Sequence, residues 1–276
     1  MSVFYTNIQL AGDTILYRGI KHGEPVQFRC NFSPTLYVLS NKEEEFKTLS
    51  GKNVTPMTFE TAKKAREFIQ QYDGVEGFEV HGYERFVYQW IRREFPGEID
   101  YNINQMKIFA LDIEVQSENG FPNVDEAAEE MLSITIKDMV TKKYYSWATR
   151  EFTPPEGVEA FIFWTENEML NHFLGWWAQN TPDILTGWNI NLYDVPYIAR
   201  RVNRVLGEKW MKSLSPWGRA NEREVYVQGR KNYAYDISGI NILDYFDLYR
   251  KFTYTNQESY RLDHIAFVEL GQRKVD

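Results

Sequence analysis

The sequence has a single cysteine, Cys30, among its 276 residues. An intrachain disulfide is therefore excluded, and a reducing compartment is expected. No apolar run approaches the roughly 20 residues needed to cross a bilayer. The first residues also lack the basic and apolar regions of a secretory signal. These absences predict a cytoplasmic protein with no membrane partner.

Several familiar catalytic patterns are also missing. The sequence contains no Gly-x4-Gly-Lys-Ser/Thr phosphate loop, no Gly-x-Gly-x-x-Gly, no His-Glu-x-x-His and no paired-cysteine zinc pattern. Acidic residues exceed basic ones by 39 to 31, which gives a net charge of −8. That balance argues against a sequence-independent nucleic-acid coat. It does not argue against a metal-dependent nuclease, whose carboxylates hold the metal.

Hydrophobic residues make up 43% of the chain and aromatic residues 16%, which excludes a disordered protein. Alternating apolar residues and turn signals predict four strands within 3–39, and helical periodicity predicts a helix over 59–72. These elements form an opening α+β unit. Turn residues at Pro96–Gly97 precede a new strand. We therefore place a first domain at 1–105 and a second at 106–276.

The second domain alternates strands and helices. Strands are predicted over 107–115, 131–137, 144–148 and 183–189, and helices after Thr165 and over 195–210. Three consecutive strands followed by a helix and another strand indicate a mixed sheet with helices packed on it. The predicted fold class is therefore α/β.

The strand at 107–115 carries the first candidate site. Because side chains alternate across a strand, Asp112 and Glu114 point to the same face, and the apolar residues between them are expected to be buried on the other. Two adjacent carboxylates that lose solvation are normally paired or bind a metal. Oxygen ligands suit Mg²⁺ or Mn²⁺. The alternative is an exposed strand end that carries two solvated acids.

A third acid, Asp194, follows a predicted strand and precedes a predicted helix with Pro196 in its first turn. In isolation, a plain helix N-cap is the favoured interpretation, because Asp is a preferred cap. The mouth of an α/β sheet is, however, also the usual place for a site. On the same helix, Arg200, Arg201 and Arg204 are interpreted as a solvated face in preference to phosphate ligands.

Two segments together carry a resemblance to a known family. Asp112-Ile-Glu114 and Asn189-x3-Tyr193-Asp194 resemble the first and second motifs of the 3′→5′ exonuclease domain of B-family DNA polymerases. Longer strings at 184–189 and 243–257 resemble the replicative polymerases of T-even-type bacteriophages. The resemblance covers nearly the whole chain, with residues 1–105 corresponding to the N-terminal domain of those enzymes.

The resemblance implies a ribonuclease-H-like fold and two divalent metal ions, Mg²⁺ or Mn²⁺. Asp112 would bridge both ions, Glu114 would hold one of them and help to orient water, and Asp194 would complete the shell of the second. Such a pair of ions activates water and stabilises the leaving oxygen in phosphoryl transfer. The implied partners are a DNA primer-template and its single-stranded 3′ end, the remaining polymerase domains or chain, and a replisome clamp.

Residues outside the acid motifs are implied to bind nucleic acid. Phe121 would stack on an unpaired terminal base, although packing under its own loop is equally open. Gly229 and Arg230 belong to a predicted hairpin that would part the primer end from its template, or that is an ordinary surface hairpin. Asn189 and Tyr193 accompany the second motif, and helix-entry packing is the preferred role of Tyr193.

The family's third motif, Tyr-x3-Asp, is absent from this sequence. We therefore expect the front portion of a polymerase, truncated before its third motif, without polymerase activity and with weak or no nuclease activity alone. Half of a split polymerase and a nucleic-acid-binding, autoregulatory module without catalysis are the alternatives. A free-standing DnaQ-like exonuclease is disfavoured, because it would need a third aspartate near the C-terminus.

Overall fold

The structure is a computed structural model that describes residues 3–82, 84–117, 120, 122–227 and 229–273. The chain folds as two compact units, Met1–Gln105 and Met106–Asp276. The turn at Pro96–Gly97 lies inside the first unit, so the division comes later in the sequence than that turn. The correspondence of the first unit to a polymerase N-terminal domain stays a prediction. Within the described ranges, no helix is long and apolar enough to span a membrane.

In the first unit, the residues that the structure describes form two antiparallel sheets and two helices. Its elements are β1 (Val3–Ala11), β2 (Thr14–Lys21), β3 (Glu24–Asn31), β4 (Thr35–Leu39), β5 (Phe46–Lys47), β6 (Asn53–Thr58), α1 (Ala62–Tyr72), β7 (Val80–His81) and α2 (Val87–Glu94), followed by a 3₁₀ turn at Ile103–Gln105. The strand orders are β1-β2-β3 and β5-β6-β4-β7. The four strands and the helix predicted for this part of the chain are confirmed, with their ends shifted by a few residues.

The start of α1 shows how this unit is held together. Thr61 caps the helix by accepting a hydrogen bond from the Lys64 amide at 3.1 Å. Asp13, in the turn between β1 and β2, accepts the Ala62 amide at 2.7 Å. The helix entry is thereby tied to a hairpin turn about 50 residues away in sequence, and the small Ala62 and Ala65 are fully buried against the sheet.

The second unit alternates strands and helices. Its elements are β8 (Ile108–Val115), β9 (Met131–Asp138), β10 (Tyr144–Ala148), β11 (Val158–Ile162), α3 (Glu166–Asn180), β12 (Ile184–Gly187), α4 (Asp194–Leu206), α5 (Glu208–Lys212), β13 (Ala220–Val227), β14 (Arg230–Ile237), β15 (Asn241–Asp244), α6 (Tyr245–Phe252) and α7 (Leu262–Leu270). The α/β fold class is confirmed.

A six-stranded mixed sheet, of order β11-β10-β9-β8-β12-β15, organises the described part of this unit. β8 pairs antiparallel with β9 and parallel with β12, and β12 in turn pairs parallel with β15. The parallel strands β8, β12 and β15 therefore end at the same edge of the sheet. β13 and β14 form a separate two-stranded hairpin.

The core of the second unit lies against one face of β8. Phe109, Leu111 and Ile113 alternate along the strand and are all buried, as the sequence pattern predicts. They share a cluster with apolar side chains of α3 and α4. α3 begins after Thr165, as predicted, and its start is a capping box in which Thr165 and Glu168 exchange both hydrogen bonds.

Three features of this unit differ from the sequence predictions. The edge strand β11 was not predicted. The single helix expected over 195–210 is two helices, because the chain breaks at Gly207, which has φ 96°. β15 and α6 were quoted only as part of a resemblance and not as elements, and α7 was not predicted.

Candidate functional site

The carboxyl ends of three neighbouring parallel strands meet at one edge of the six-stranded sheet. β8 carries Asp112 and Glu114 in its last four residues, and β15 ends with Asp244. β12 leads through residues 188–193 into α4, where Asp194 is the first residue. Open α/β sheets place their sites at this edge, because loops leave the strands there. Four carboxylates from three separate segments of the sequence are thereby brought to one region.

Asp112 and Glu114 lie on the same face of β8, as predicted, but both side chains are exposed. The expectation that this pair loses solvation is therefore wrong. The pairing of β8 with β12 reaches only from Ile108 to Ala110, so β8 extends past its neighbour. The two acids are carried on that extension, where water reaches them.

Asp194 meets β8 between the two exposed acids. Its Oδ1 accepts a hydrogen bond from the backbone amide of Ile113 at 3.1 Å. The side chain is 3% exposed. The helix-cap interpretation of Asp194 is wrong, because Tyr193 is the N-cap residue of α4 and makes no side-chain cap bond. The structure thus brings Asp194 to the residue that separates Asp112 from Glu114, although the motifs are 82 positions apart.

Burial controls the protonation of Asp194. Desolvation, with a further contribution from the negative charge of Asp112, raises the pKa of this carboxyl to about 7. The Ile113 amide opposes the shift because it stabilises the carboxylate. Among the described residues, no lysine or arginine forms a salt bridge with Asp194. A buried carboxylate without a cationic partner is a group that a bound cation would stabilise.

Tyr193 lies among these acids and is packed against the core of the unit. Burial raises its pKa to about 12, and the charges of Asp194, Glu114 and Asp112 add to the shift. Its ring lies 6.0 Å from that of Tyr197, centroid to centroid. The packing role preferred for Tyr193 therefore agrees with its surroundings. Because the charges of all three motif acids act on its hydroxyl, Tyr193 also lies close to those acids.

The connection from β12 to α4 has an unusual backbone. Gly187 lies so close to β8 that a Cβ atom there would come within 2.6 Å of the Leu111 carbonyl oxygen. Asn189 has φ 61°, in the left-handed region that Asn tolerates better than most residues. Its carbonyl accepts the Tyr193 amide at 3.1 Å. The connection is therefore a tight turn held against the end of β8.

Asp244 was not singled out by the sequence, and it is the main anchor of this turn. Its carboxylate accepts the Asn189 amide, the Asn191 amide and the Phe246 amide, each at 2.9 Å. The side chain is 4% exposed. Desolvation raises its pKa, and the three amide bonds oppose that shift. The only sequence signal was an aspartate at the end of an apolar stretch, which is also typical of a plain helix cap.

Glu129 is a further acid near the site that the sequence did not indicate. Its Oε2 is buried and makes no hydrogen bond within the described residues. Its charge contributes to the raised pKa values of Tyr193 and Tyr197. The Glu129 carbonyl also accepts the Tyr197 hydroxyl at 2.7 Å. The loop between β8 and β9 thus adds negative charge beside α4.

The arrangement fits a hard divalent cation by its chemistry, but it is not a closed cage. Asp112, Glu114 and Asp194 offer only carboxylate oxygens, the ligands that Mg²⁺ and Mn²⁺ prefer. Over the part of the chain that is described, no group of three or more His, Cys, Asp or Glu side chains is already gathered for a metal ion. The two exposed carboxylates would have to turn toward Asp194 for all three to share a cation.

The remaining predicted nucleic-acid residues are dispersed. Gly229, with φ 75°, and Arg230 lie at the tip of the β13–β14 hairpin, whose last described pair is Val227 with Arg230. That tip lies roughly 20–25 Å along the ladder from the base of the hairpin at Ala220. The prediction for Phe121 falls outside the described residues. The backbone of Asn189 belongs to the anchored turn described above.

The arginines of α4 do not form one solvated face. Arg201 is buried, and its guanidinium pairs with Glu166 at 2.6 Å and 2.8 Å. Arg200 pairs with Asp125 at 2.9 Å and with Glu222 at 2.8 Å. The solvated-face interpretation is therefore wrong for Arg201, which has a structural role in the core.

Comparison with protein families gives a match over this part of the chain. The family described as DNA polymerase family B, exonuclease domain, matches residues 87–265. Exonuclease domains of this family generally depend on divalent metal ions. The matched region contains every described residue of the carboxylate site.

Similarity to individual proteins extends further. The chain is 30% identical over 302 aligned positions to the DNA-directed DNA polymerase of Enterobacteria phage T4, with 100% of this chain and 33% of that protein covered. It is 29% identical to the DNA-directed DNA polymerase of Escherichia phage RB69, with 34% of that protein covered. The DNA polymerase catalytic subunit of Human herpesvirus 8 is 29% identical over 61% of this chain. The chain thus spans about a third of the length of its phage relatives.

Proposed function

This chain belongs to family B of the DNA polymerases, whose exonuclease domain matches most of its length, and on that premise we propose that its second unit removes nucleotides from DNA 3′ ends. The reaction would be hydrolysis of the terminal phosphodiester at the edge formed by β8, β12 and β15. Asp112, Glu114 and Asp194 are the proposed catalytic residues. The substrate would be a single-stranded 3′ end of a primer-template.

One observation supports this proposal more than any other. Asp194 Oδ1 accepts the amide of Ile113 at 3.1 Å, which places a buried carboxylate between two exposed ones. Cores seldom bury a carboxylate without a cationic partner, since desolvation disfavours its charged form. A requirement to bind a cation at this site would explain why a carboxylate is buried here.

The proposed cofactors are two Mg²⁺ or Mn²⁺ ions. Asp112 would contact both, Glu114 would hold one, and Asp194 would complete the shell of the other. When bound, the ions would supply Lewis acidity to the attacking water and to the leaving 3′ oxygen. Exposure of Asp112 and Glu114 leaves them accessible to a DNA phosphate. Burial of Asp194 keeps bulk water away from its carboxylate.

Other residues would handle the DNA strand. We propose that Phe121 stacks on the terminal base and that Gly229 and Arg230, at the hairpin tip, meet the DNA where the primer end leaves its template. Tyr193 and Asn189 would line the entry beside Asp194. A short, exposed hairpin tip with an arginine suits contact with a backbone phosphate.

The relatives are DNA polymerases of which this chain matches about a third. We therefore propose that the activity proofreads for a replicative polymerase in the cytoplasm of an infected host cell. Its partners would be the remaining polymerase domains or chain, and a replisome clamp. The residues of this sequence contain no Tyr-x3-Asp motif, so hydrolysis by the chain alone is expected to be slow or undetectable.

Metal binding is the direct test, because it does not require turnover. Calorimetric titration of the full chain with MnCl₂ is expected to give saturable binding that Asp112→Asn abolishes. Glu159→Gln, which removes a carboxylate from the edge strand β11 of the same sheet, is the matched control and is expected to bind as the unchanged chain does. Absence of saturable binding, or binding indifferent to Asp112→Asn, would reject the proposed site.

A further inference from the structure

We infer that Asp244 is a positioning residue for the exonuclease site, holding the turn at residues 187–193 so that Asp194 reaches β8. The inference rests on the proposed function for the role of Asp194. Its structural part, the control of the position of Asp194, does not depend on any metal. Asp244 itself contacts neither Asp112 nor Glu114 in the described hydrogen bonds.

The two carboxylate oxygens of Asp244 have different partners. Oδ1 accepts the amides of Asn189 and Phe246, and Oδ2 accepts the amide of Asn191, each at 2.9 Å. The bond to Phe246 caps α6. The bonds to Asn189 and Asn191 hold the turn. One side chain thus performs two tasks: Oδ1 serves both the turn and the helix cap, and Oδ2 serves the turn alone.

The turn is fixed on both sides. In the β12–β15 pair, Gly187 lies opposite Asp244, and the Thr186 hydroxyl donates to the Leu243 carbonyl at 2.7 Å. On the other side, the missing Cβ of Gly187 allows the chain to approach the Leu111 carbonyl of β8. The turn therefore leaves the sheet between β15 and β8 with little room to shift.

From the turn, a short series of bonds leads to Asp194. The Asn189 carbonyl accepts the amides of Leu192 and Tyr193, and the Ile190 carbonyl accepts the Val195 amide at 3.0 Å. Asp194 then reaches the Ile113 amide. Displacement of Asn189 and Asn191 would move the first turn of α4 and lengthen that last bond.

The carboxylate chemistry of Asp244 is what the turn requires. Three amide donors converge on it, and a carboxylate can accept all of them because it carries no hydrogen when ionised. Asp244→Asn would keep Oδ1 and its two bonds, but it would turn an NH₂ group toward the Asn191 amide. Two donors facing each other in a buried place leave both unsatisfied. This variant therefore removes the Asn191 bond of the turn while it keeps the Asn189 bond and the cap of α6.

Asp183 offers a matched control at the opposite end of β12. It is also a buried acid, and its Oδ2 accepts the Lys107 amide at 2.9 Å. Asp183→Asn makes the same chemical change in the same sheet, away from the turn. Any effect due only to lost sheet stability would appear in both variants.

The test follows the amide hydrogen exchange of Ile113 in the full chain without metal, together with Mn²⁺ affinity. Asp244→Asn is expected to speed exchange at Ile113 about tenfold, the change expected for one lost hydrogen bond. It is also expected to weaken Mn²⁺ binding about 10–100-fold, as the loss of a supporting residue around a metal site does. Asp183→Asn should change neither quantity. If Asp244→Asn does not fold, Asp244→Ser, which keeps a cap oxygen for α6, takes its place.

The outcomes separate the two claims. Unchanged exchange at Ile113 in the Asp244 variant, or equal acceleration in Asp183→Asn, would overturn the inference. A different outcome is that the unchanged chain binds no Mn²⁺ while Asp244→Asn still speeds exchange at Ile113. That result would support the positioning of Asp194 by Asp244 and would reject the proposed metal site.

Discussion

At the scale of single residues, the burial of Asp194 determines how the stability of the fold depends on pH. Burial raises the pKa of this carboxyl in the folded state to about 7, from the 3.8 of an aspartate in water. Between these values the folded state holds the proton more strongly than the unfolded state, so the free energy of unfolding falls as pH rises from about 4 to 7. The loss is on the order of 4 kcal/mol at most, at about 1.4 kcal/mol per pKa unit. Urea denaturation at a series of pH values measures it.

Asp194→Asn isolates this contribution, because the amide stays neutral throughout. The variant should lose most of the fall in stability between pH 4 and 7 and should be the more stable protein at pH 8. Asp244, whose pKa is also raised by burial, adds a fall of the same sign that remains in the variant. Parallel stability curves for the two proteins across this range would show that Asp194 is not the titrating group.

Single residues also show what sequence could and could not reveal about the site. Alternation along a strand is a local rule, so it correctly put Asp112 and Glu114 on one face. Their exposure depends on where β12 stops pairing with β8, which is a property of the assembled sheet. The role of Asp244 was invisible for the same reason. Its partners, the amides of Asn189 and Asn191, lie more than 50 residues away.

At the scale of secondary-structure elements, the pair of Arg201 with Glu166 joins α4 to α3. Glu166 also accepts the Met131 amide at 2.8 Å, and Arg201 donates to the Ala128 carbonyl at 2.6 Å. Arg201→Ala would leave Glu166 buried without its cation, so we expect a loss of about 3–5 kcal/mol in the free energy of unfolding. Chemical denaturation followed by circular dichroism is the measurement.

Arg204 is the control on the same helix. It is exposed, and its one described bond, to the Glu126 carbonyl, is 3.3 Å long. Arg204→Ala should change stability by less than about 0.5 kcal/mol. Replacing Arg201 and Glu166 together with methionine should cost far less than Arg201→Ala, because no buried charge is left unpaired. Equal losses from the two arginine variants would contradict a buried ion pair.

The close approach of β12 to β8 gives another prediction for an element. Gly187→Ala would place a Cβ 2.4 Å from Ile190 Cγ2 and 2.6 Å from the Leu111 carbonyl oxygen. We expect a loss of about 1–3 kcal/mol from this overpacking, measured as a lower urea midpoint. Gly175→Ala, in the exposed middle of α3 with open space around the Cβ, should instead gain about 0.5–1 kcal/mol. A neutral Gly187→Ala would mean that the turn can move away from β8.

Elements with strong local signals were predictable, and those without were missed. The capping box at Thr165 fixed the start of α3, because both of its hydrogen bonds are made within four residues. β11 has five residues and pairs only with β10, so its formation depends on a partner strand and not on its own pattern. The break at Gly207 was hidden because the apolar periodicity continues into α5.

At the scale of the whole molecule, the candidate site belongs to one compact unit. Asp112, Glu114, Asp194 and Asp244, with the turn between β12 and α4, all lie in Met106–Asp276. The acids of the site come from segments far apart in sequence, and it is the parallel β8-β12-β15 arrangement that brings them together. The turn residues that predict a domain boundary do not predict this convergence of acids, because the convergence depends on the order of the strands in the sheet.

The second unit should therefore keep the proposed metal site when it is expressed alone. Residues 106–276 are expected to bind Mn²⁺ with the affinity of the full chain, and residues 1–105 are expected to bind none, since all the proposed ligands are in the second unit. The same pair of fragments, compared in gel-shift assays with single-stranded DNA, decides between a nuclease and a nucleic-acid-binding module. If the second unit contains the DNA-binding nuclease site, metal-dependent retardation should appear with 106–276 and vanish in Asp112→Ala. Retardation by 1–105 that equals that of the full chain, with or without EDTA, would instead assign nucleic-acid binding to the first unit and leave the carboxylates without a demonstrated role.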